Sequence, residues 1–156
     1  MTTTEPATHL NFVNGRWVAS RGGATLEDEN PAHRGSCLGL FQASTPEDVL
    51  DAVEAAHRAF RSWRRTTVGE RQRYVAEFLR LLDDSRDELG RIVTLENGKT
   101  LRESRAEVES ALVEGRYHLH QAASFAGEAA PGASRDIAAW VQYQPLGVVG
   151  VISPWN

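Results

Sequence analysis

The stretch that most constrains this chain is its last eleven residues, Leu146-Gly147-Val148-Val149-Gly150-Val151-Ile152-Ser153-Pro154-Trp155-Asn156. Five of the first seven are apolar and the other two are glycine, so the polar alternation of a half-exposed strand is missing. Such a run reads as a strand buried on both faces, as in a parallel sheet covered by helices. Pro154 cannot donate to a ladder and ends the strand, which places Trp155 and Asn156 at its carboxyl end. Ligands bind at that end of open α/β sheets.

Bulk properties narrow the possibilities. A chain of 156 residues, 41% hydrophobic and 24% charged, is long enough for one globular domain with a sizeable core. Its net charge of −4 opposes a nucleic-acid partner, which would need a basic surface. No apolar run reaches the roughly 18–20 residues of a membrane span. Neither a signal peptide nor a transit pattern opens the chain. The single cysteine, Cys37, has no intramolecular partner, and the expected compartment is the reducing cytoplasm.

Residues 1–9 read as a polar, frayed tail. Phe12-Val13-Asn14-Gly15-Arg16-Trp17-Val18 sets an Asn-Gly pair between apolar pairs and predicts a hairpin. Ala24 to Glu29 adds a short strand; beyond turns at Asn30-Pro31 and Gly35, Cys37 to Phe41 can form one more. From Ser44 the period becomes helical. A hydroxyl cap, Pro46 and two acids precede a stripe of Val49, Val53, Ala56, Phe60 and Trp63. Capping boxes at Thr67/Glu70, Ser85/Glu88 and Thr100/Glu103 open three more amphipathic helices, with Asn97-Gly98 ending the third and the fourth running to about Phe125. Gly127 to Gly132 is a loop, and Ile137 to Gln144 reads as a strand.

Most polar constellations have plain readings. Glu96-Asn97-Gly98-Lys99-Thr100 is no phosphate loop, because Val93 stands where the first glycine is needed. His118 and His120 point about 200° apart on a helix and cannot easily share a metal. Cys37 reads as a small core residue rather than a nucleophile. The glycines of Gly147-Val148-Val149-Gly150 lie inside the strand, whereas a dinucleotide turn follows it. Asn156 starts a turn, caps a following helix or, through its amide, donates to a developing oxyanion.

Seven segments, in order, resemble the aldehyde dehydrogenase superfamily. They are the Asn14-Gly15-Arg16-Trp17 hairpin, Asn30-Pro31-Ala32, the Ala55–Trp63 helix, Glu70-Arg71, Glu96-Asn97-Gly98-Lys99, Pro145 to Gly150, and Ile152 to Asn156. The resemblance implies an incomplete α/β fold of that type: N-terminal β-hairpins, four amphipathic helices, one oligomerisation-type strand and a first buried Rossmann-type strand. Its implied divisions are a tail over 1–9, the start of a cofactor domain over 10–135, an arm strand over 136–145 and the truncated first sheet strand over 146–156.

The chemistry implied is oxidation of an aldehyde by NAD or NADP through a cysteine thiohemiacetal. Asn156 would donate to the oxyanion, and Ile152, Ser153, Pro154 and Trp155 would line the cofactor. Ser110 and Glu114 would border the substrate tunnel, and Glu96 would help hold a monovalent cation. The family's nucleophile, general base and phosphate-binding turn lie beyond the position of Asn156, so an inactive N-terminal third is expected, with a homo-oligomer as the parent. A non-catalytic helical interaction module is the other expectation.

Overall fold

The computed structural model describes residues 5–130, 134 and 136–153. Pro154, Trp155 and Asn156 lie outside the described residues. Seven short strands and four helices follow one another among the described residues: β1 (Thr8–His9), β2 (Asn11–Val13), β3 (Arg16–Val18), β4 (Thr25–Glu29), β5 (Cys37–Gln42), α1 (Pro46–Trp63), α2 (Val68–Asp84), α3 (Arg86–Asn97), α4 (Leu101–Gln121), β6 (Glu128–Ala130) and β7 (Ala139–Val141). This is the mixed α/β layout expected, with four helices and small sheets.

The hairpin forms where the Asn-Gly pair puts it. Asn14 and Gly15 both have positive φ, 52° and 75°, as a two-residue type I′ turn requires, and β2 pairs antiparallel with β3. A second sheet has the order β1-β5-β4, with β1 parallel and β4 antiparallel to β5. Thr8 and His9 therefore belong to a sheet, which corrects the tail expected to run through residue 9. Their backbone is held because Leu40 N–H donates to Ala7 O at 2.9 Å and the Gln42 amide to His9 O at 3.0 Å.

Local cap chemistry sets the helix boundaries. Thr45, Thr67 and Thr100 each accept from the third helical N–H and in turn receive Asp48, Glu70 or Glu103 on their own N–H, which are complete capping boxes. Ser85 departs from the expectation and makes no side-chain cap. It both closes α2 and opens α3, and its φ of −94° and ψ of 7° differ from the extended backbone at the other three caps. Gly98 ends α3 in the left-handed region at φ 74°.

The core lies around α4, which packs on α2 and α3. Leu112, Val108 and Leu79 are buried there. Small groups let the helices approach: the Ser104 and Thr94 hydroxyls sit 2.9 Å apart, and Thr94 donates to Gly90 O at 3.1 Å. The α1 stripe behaves differently from expectation. Val49, Val53 and Trp63 are exposed, and Ala55 is the buried residue of that helix. The stripe correctly marks an amphipathic helix, but only its end is covered: Phe60 is half-buried and Trp63 packs on Tyr74 of α2 with ring centroids 5.6 Å apart, while Val49 and Val53 stay open.

Asp48 ties the hairpin to α1. Its carboxylate accepts from Thr45 N–H at 2.8 Å, the Ser20 hydroxyl at 2.8 Å and Arg21 N–H at 3.1 Å. These donors, Thr45 N–H foremost, hold the carboxyl down from 3.8 to about 2, against the opposing effect of burial. A carboxylate depressed by folding contributes stability that is complete above its ordinary value and is lost as pH falls through the folded one. Urea midpoints should therefore drop between about pH 4 and pH 2, and Asp48→Asn should flatten that part of the profile. Equal acid losses in both proteins would show that the network does not couple to folding.

Candidate active-site segment

The expected buried strand over Leu146–Ile152 is not one. Residues 142–153 carry no strand pairing, Gly147 has φ 120°, and Leu146 and Ile152 are 97% and 99% exposed. A strand needs a ladder partner to satisfy its backbone, and among the described residues no strand lies beside this run. The run is apolar, as expected, but among the described residues nothing covers it. Ile152 and Ser153 are presented to solvent at the end of the described chain, and the residues expected as oxyanion donor, Asn156, and as cofactor contacts, Pro154 and Trp155, lie outside it.

The segment is reached through a two-stranded arm. Within the expected Ile137–Gln144 strand, β7 spans Ala139–Val141 and pairs antiparallel with β6. β6 falls where the sequence predicts a loop, because Glu128-Ala129-Ala130 has no β-forming residue to announce a strand. Phe125, in the 3-10 turn that follows α4, meets Tyr143 edge to face with centroids 5.8 Å apart. Trp140 is 70% exposed on the arm.

The remaining site residues occupy other elements. Ser110 lines an open groove of about 370 Å³ on α4, beside the Lys99–Glu107 ion pair at 2.5 Å. Glu114, one turn on, is exposed and stands 3.9 Å from His118 Nε2. Glu96 sits at the end of α3, and its carboxyl is raised by partial burial and then by Asp28, with His9 opposing. Among the described residues no group of three His, Cys, Asp or Glu side chains could hold a metal ion. The groove that holds Ser110 includes neither Glu114, Glu96 nor Ile152, so the structure does not gather these residues into one pocket.

Cys37 is half-buried at the start of β5, its Sγ 3.7 Å from Gly39 O. Burial, followed by Glu27, raises its pKa, which keeps it a thiol and makes it a poor nucleophile.

Four helices and small sheets, followed by a two-stranded arm and an exposed apolar segment, define a mixed α/β protein. The chain belongs to the aldehyde dehydrogenase family, whose profile, described as "Aldehyde dehydrogenase family", matches residues 17–156. It is 39% identical over 153 residues to the α-ketoglutaric semialdehyde dehydrogenase of Bacillus subtilis (strain 168), covering 98% of this chain and 31% of that protein. To the malonate-semialdehyde dehydrogenase of Bacillus cytotoxicus it is 37% identical, covering 100% of this chain and 32% of that one. Among solved structures, a betaine aldehyde dehydrogenase from Staphylococcus aureus in complex with NAD+ superposes with a TM-score of 0.83 at 27% identity, over 94% of this chain and 30% of the other. An NAD-dependent aldehyde dehydrogenase from Sinorhizobium meliloti gives 0.78 at 28% identity, over 84% and 26%. The chain thus spans about a third of the length of the curated relatives it matches.

Proposed function

We propose that these residues form the N-terminal third of an NAD(P)-dependent aldehyde dehydrogenase that oxidises a small aldehyde to its acid. The observation that carries the reading is the Leu146–Ile152 run, apolar and uncovered, within the span that matches the family. Apolar surface of that extent is what a strand exposes before neighbouring strands and helices close over it. In this reading Asn156 donates its amide to the oxyanion, and a lost donor of that kind costs about 3–4 kcal/mol of transition-state stabilisation. Ser110 and Glu114 border the substrate path, and Glu96 contributes to a monovalent-cation site. The arm over 136–145 lies between subunits of a homo-oligomer, and the setting is cytoplasmic.

A nicotinamide dinucleotide, when bound, supplies the hydride acceptor. In this reading Ile152, Ser153, Pro154 and Trp155 would line one wall of such a site. Their part is to position the group and exclude water from one side.

A polypeptide of these 156 residues alone is inactive in this reading, because the family's nucleophile, general base and cofactor-phosphate turn lie beyond Asn156, and its one thiol, Cys37, does not match the nucleophile's motif. The purified chain, given short aldehydes with NAD+ or NADP+, should produce reduced nicotinamide no faster than buffer. Aldehyde-dependent turnover would overturn the assignment of the missing nucleophile. A non-catalytic interaction module is the second reading, favoured by the exposed Ile137, Trp140 and Tyr143 of the arm. Concentration-dependent association in sedimentation, without turnover in any longer product of the same reading frame, would favour it.

A further inference from the structure

A cavity of about 340 Å³ opens where the turn between α1 and α2 meets the end of α4, and it shares no lining residue with the sites above. Its apolar walls include Trp63, Val75, Leu119, Ala122 and Phe125, and its polar members are Arg71, Gln72 and His118. Both the size and the mainly apolar lining with a few convergent polar groups are those of a small-molecule site.

The polar members are not equivalent. Gln72 is committed, because its amide donates to Leu119 O at 2.9 Å. His118 faces Glu114 at the rim. Arg71 is half-buried, and its Nη1 donates to Thr66 O at 2.6 Å, with Thr66 Oγ1 at 3.3 Å. That contact fixes the guanidinium plane and leaves the Nε and Nη2 edge without a hydrogen-bond partner among the described residues. The adjacent carboxylate, Glu70, is turned to its own cap, where it accepts from Thr67 N–H at 2.7 Å and the Thr67 hydroxyl at 2.9 Å. No carboxylate among the described residues pairs with Arg71. Glu70 lies near enough to feel the charge of Arg71 but makes no hydrogen bond to it, and the free edge of a guanidinium is shaped for a bidentate carboxylate.

We infer that this cavity binds a small monocarboxylate, its carboxylate on the free edge of Arg71 and its short apolar tail between Trp63 and Phe125. The inference does not depend on the aldehyde dehydrogenase reading. It also gives the ligand a structural consequence, because Phe125 packs on Tyr143 of the arm.

The test is calorimetric titration of the full chain with hexanoate and with hexanamide, its neutral counterpart. Hexanoate should saturate, and hexanamide should bind at least about tenfold more weakly, the difference a charge-assisted hydrogen bond makes. Arg71→Lys keeps the charge but loses the fork, and should weaken hexanoate about tenfold while leaving hexanamide unchanged. Ala122→Leu fills the cavity and should abolish both, with circular dichroism unchanged. Equal binding of the two probes, no saturation up to about 10 mM, or hexanoate binding that survives in both variants would each overturn the proposal. Absence of saturation is also the outcome expected if an apolar side chain from another polypeptide segment occupies the cavity.

Discussion

Leu112→Ala should destabilise the chain by about 3 kcal/mol, the middle of the range for a fully buried leucine. The residue is 1% exposed at the centre of α4, the helix that touches both α2 and α3. Truncation removes three carbons from water-free packing and leaves a cavity whose collapse is resisted on two sides. Among the described residues only Ala55, Leu79 and Val108 join Leu112 as buried apolar side chains, so little core remains to share the loss. Domains of this size are commonly stable by only about 5–15 kcal/mol, which makes the loss a large fraction of the whole. Urea unfolding should show it as a fall in midpoint of about 1.5–2 M at unchanged slope. Val113, the next residue, is 56% exposed, and Val113→Ala should stay within about 0.5 kcal/mol. If the two variants unfold at the same urea concentration, α4 is not the centre of the core.

What the sequence disclosed divides along the range of the interactions. Thr45, Thr67 and Thr100 could be read as caps because their partners lie three residues away, and Asn14-Gly15 could be read as a hairpin turn for the same reason. Ser85 misled because its motif is local but its backbone is shared between two helices. Ser20, Gln42 and Asp48 form one network across separations of 22 and 28 residues, and no local pattern announces such a link. The apolar stripe of α1 and the Leu146–Ile152 run mark surfaces suited to burial. Periodicity, however, does not say whether the covering element is present. The candidate site was legible as a motif, and its Ile152–Ser153 portion was found exposed rather than built into a sheet. Arg71 was visible as half of a Glu-Arg pair, but its free guanidinium edge depends on Thr66 capturing one nitrogen and Thr67 capturing Glu70. Only coordinates reveal that arrangement.

Gly127→Ala should unpair the arm while leaving the helices intact. Gly127 has φ 93° and ψ 169°, a region closed to residues with a side chain at a cost of about 1–3 kcal/mol. Space is denied as well, since an added Cβ would lie 2.5 Å from Val141 O. That atom belongs to the backbone of β7, so relief requires the strand to move. The hairpin cannot absorb the strain: its register is Glu128↔Val141, Ala129↔Trp140 and Ala130↔Ala139, and a two-stranded ribbon that short is marginal by itself. The core around Leu112 makes no demand on Gly127, so the loss should stay local. Amide exchange should therefore accelerate in β6 and β7 to the rate of open chain while protection in the middle of α4 is unchanged. Because the arm carries the chain into the segment ending at Ile152 and Ser153, the same substitution frees the direction in which that segment leaves the helices. Any association through Trp140 should weaken in parallel. Unchanged protection in β7 would mean that the close approach of Gly127 to Val141 is not what holds the arm.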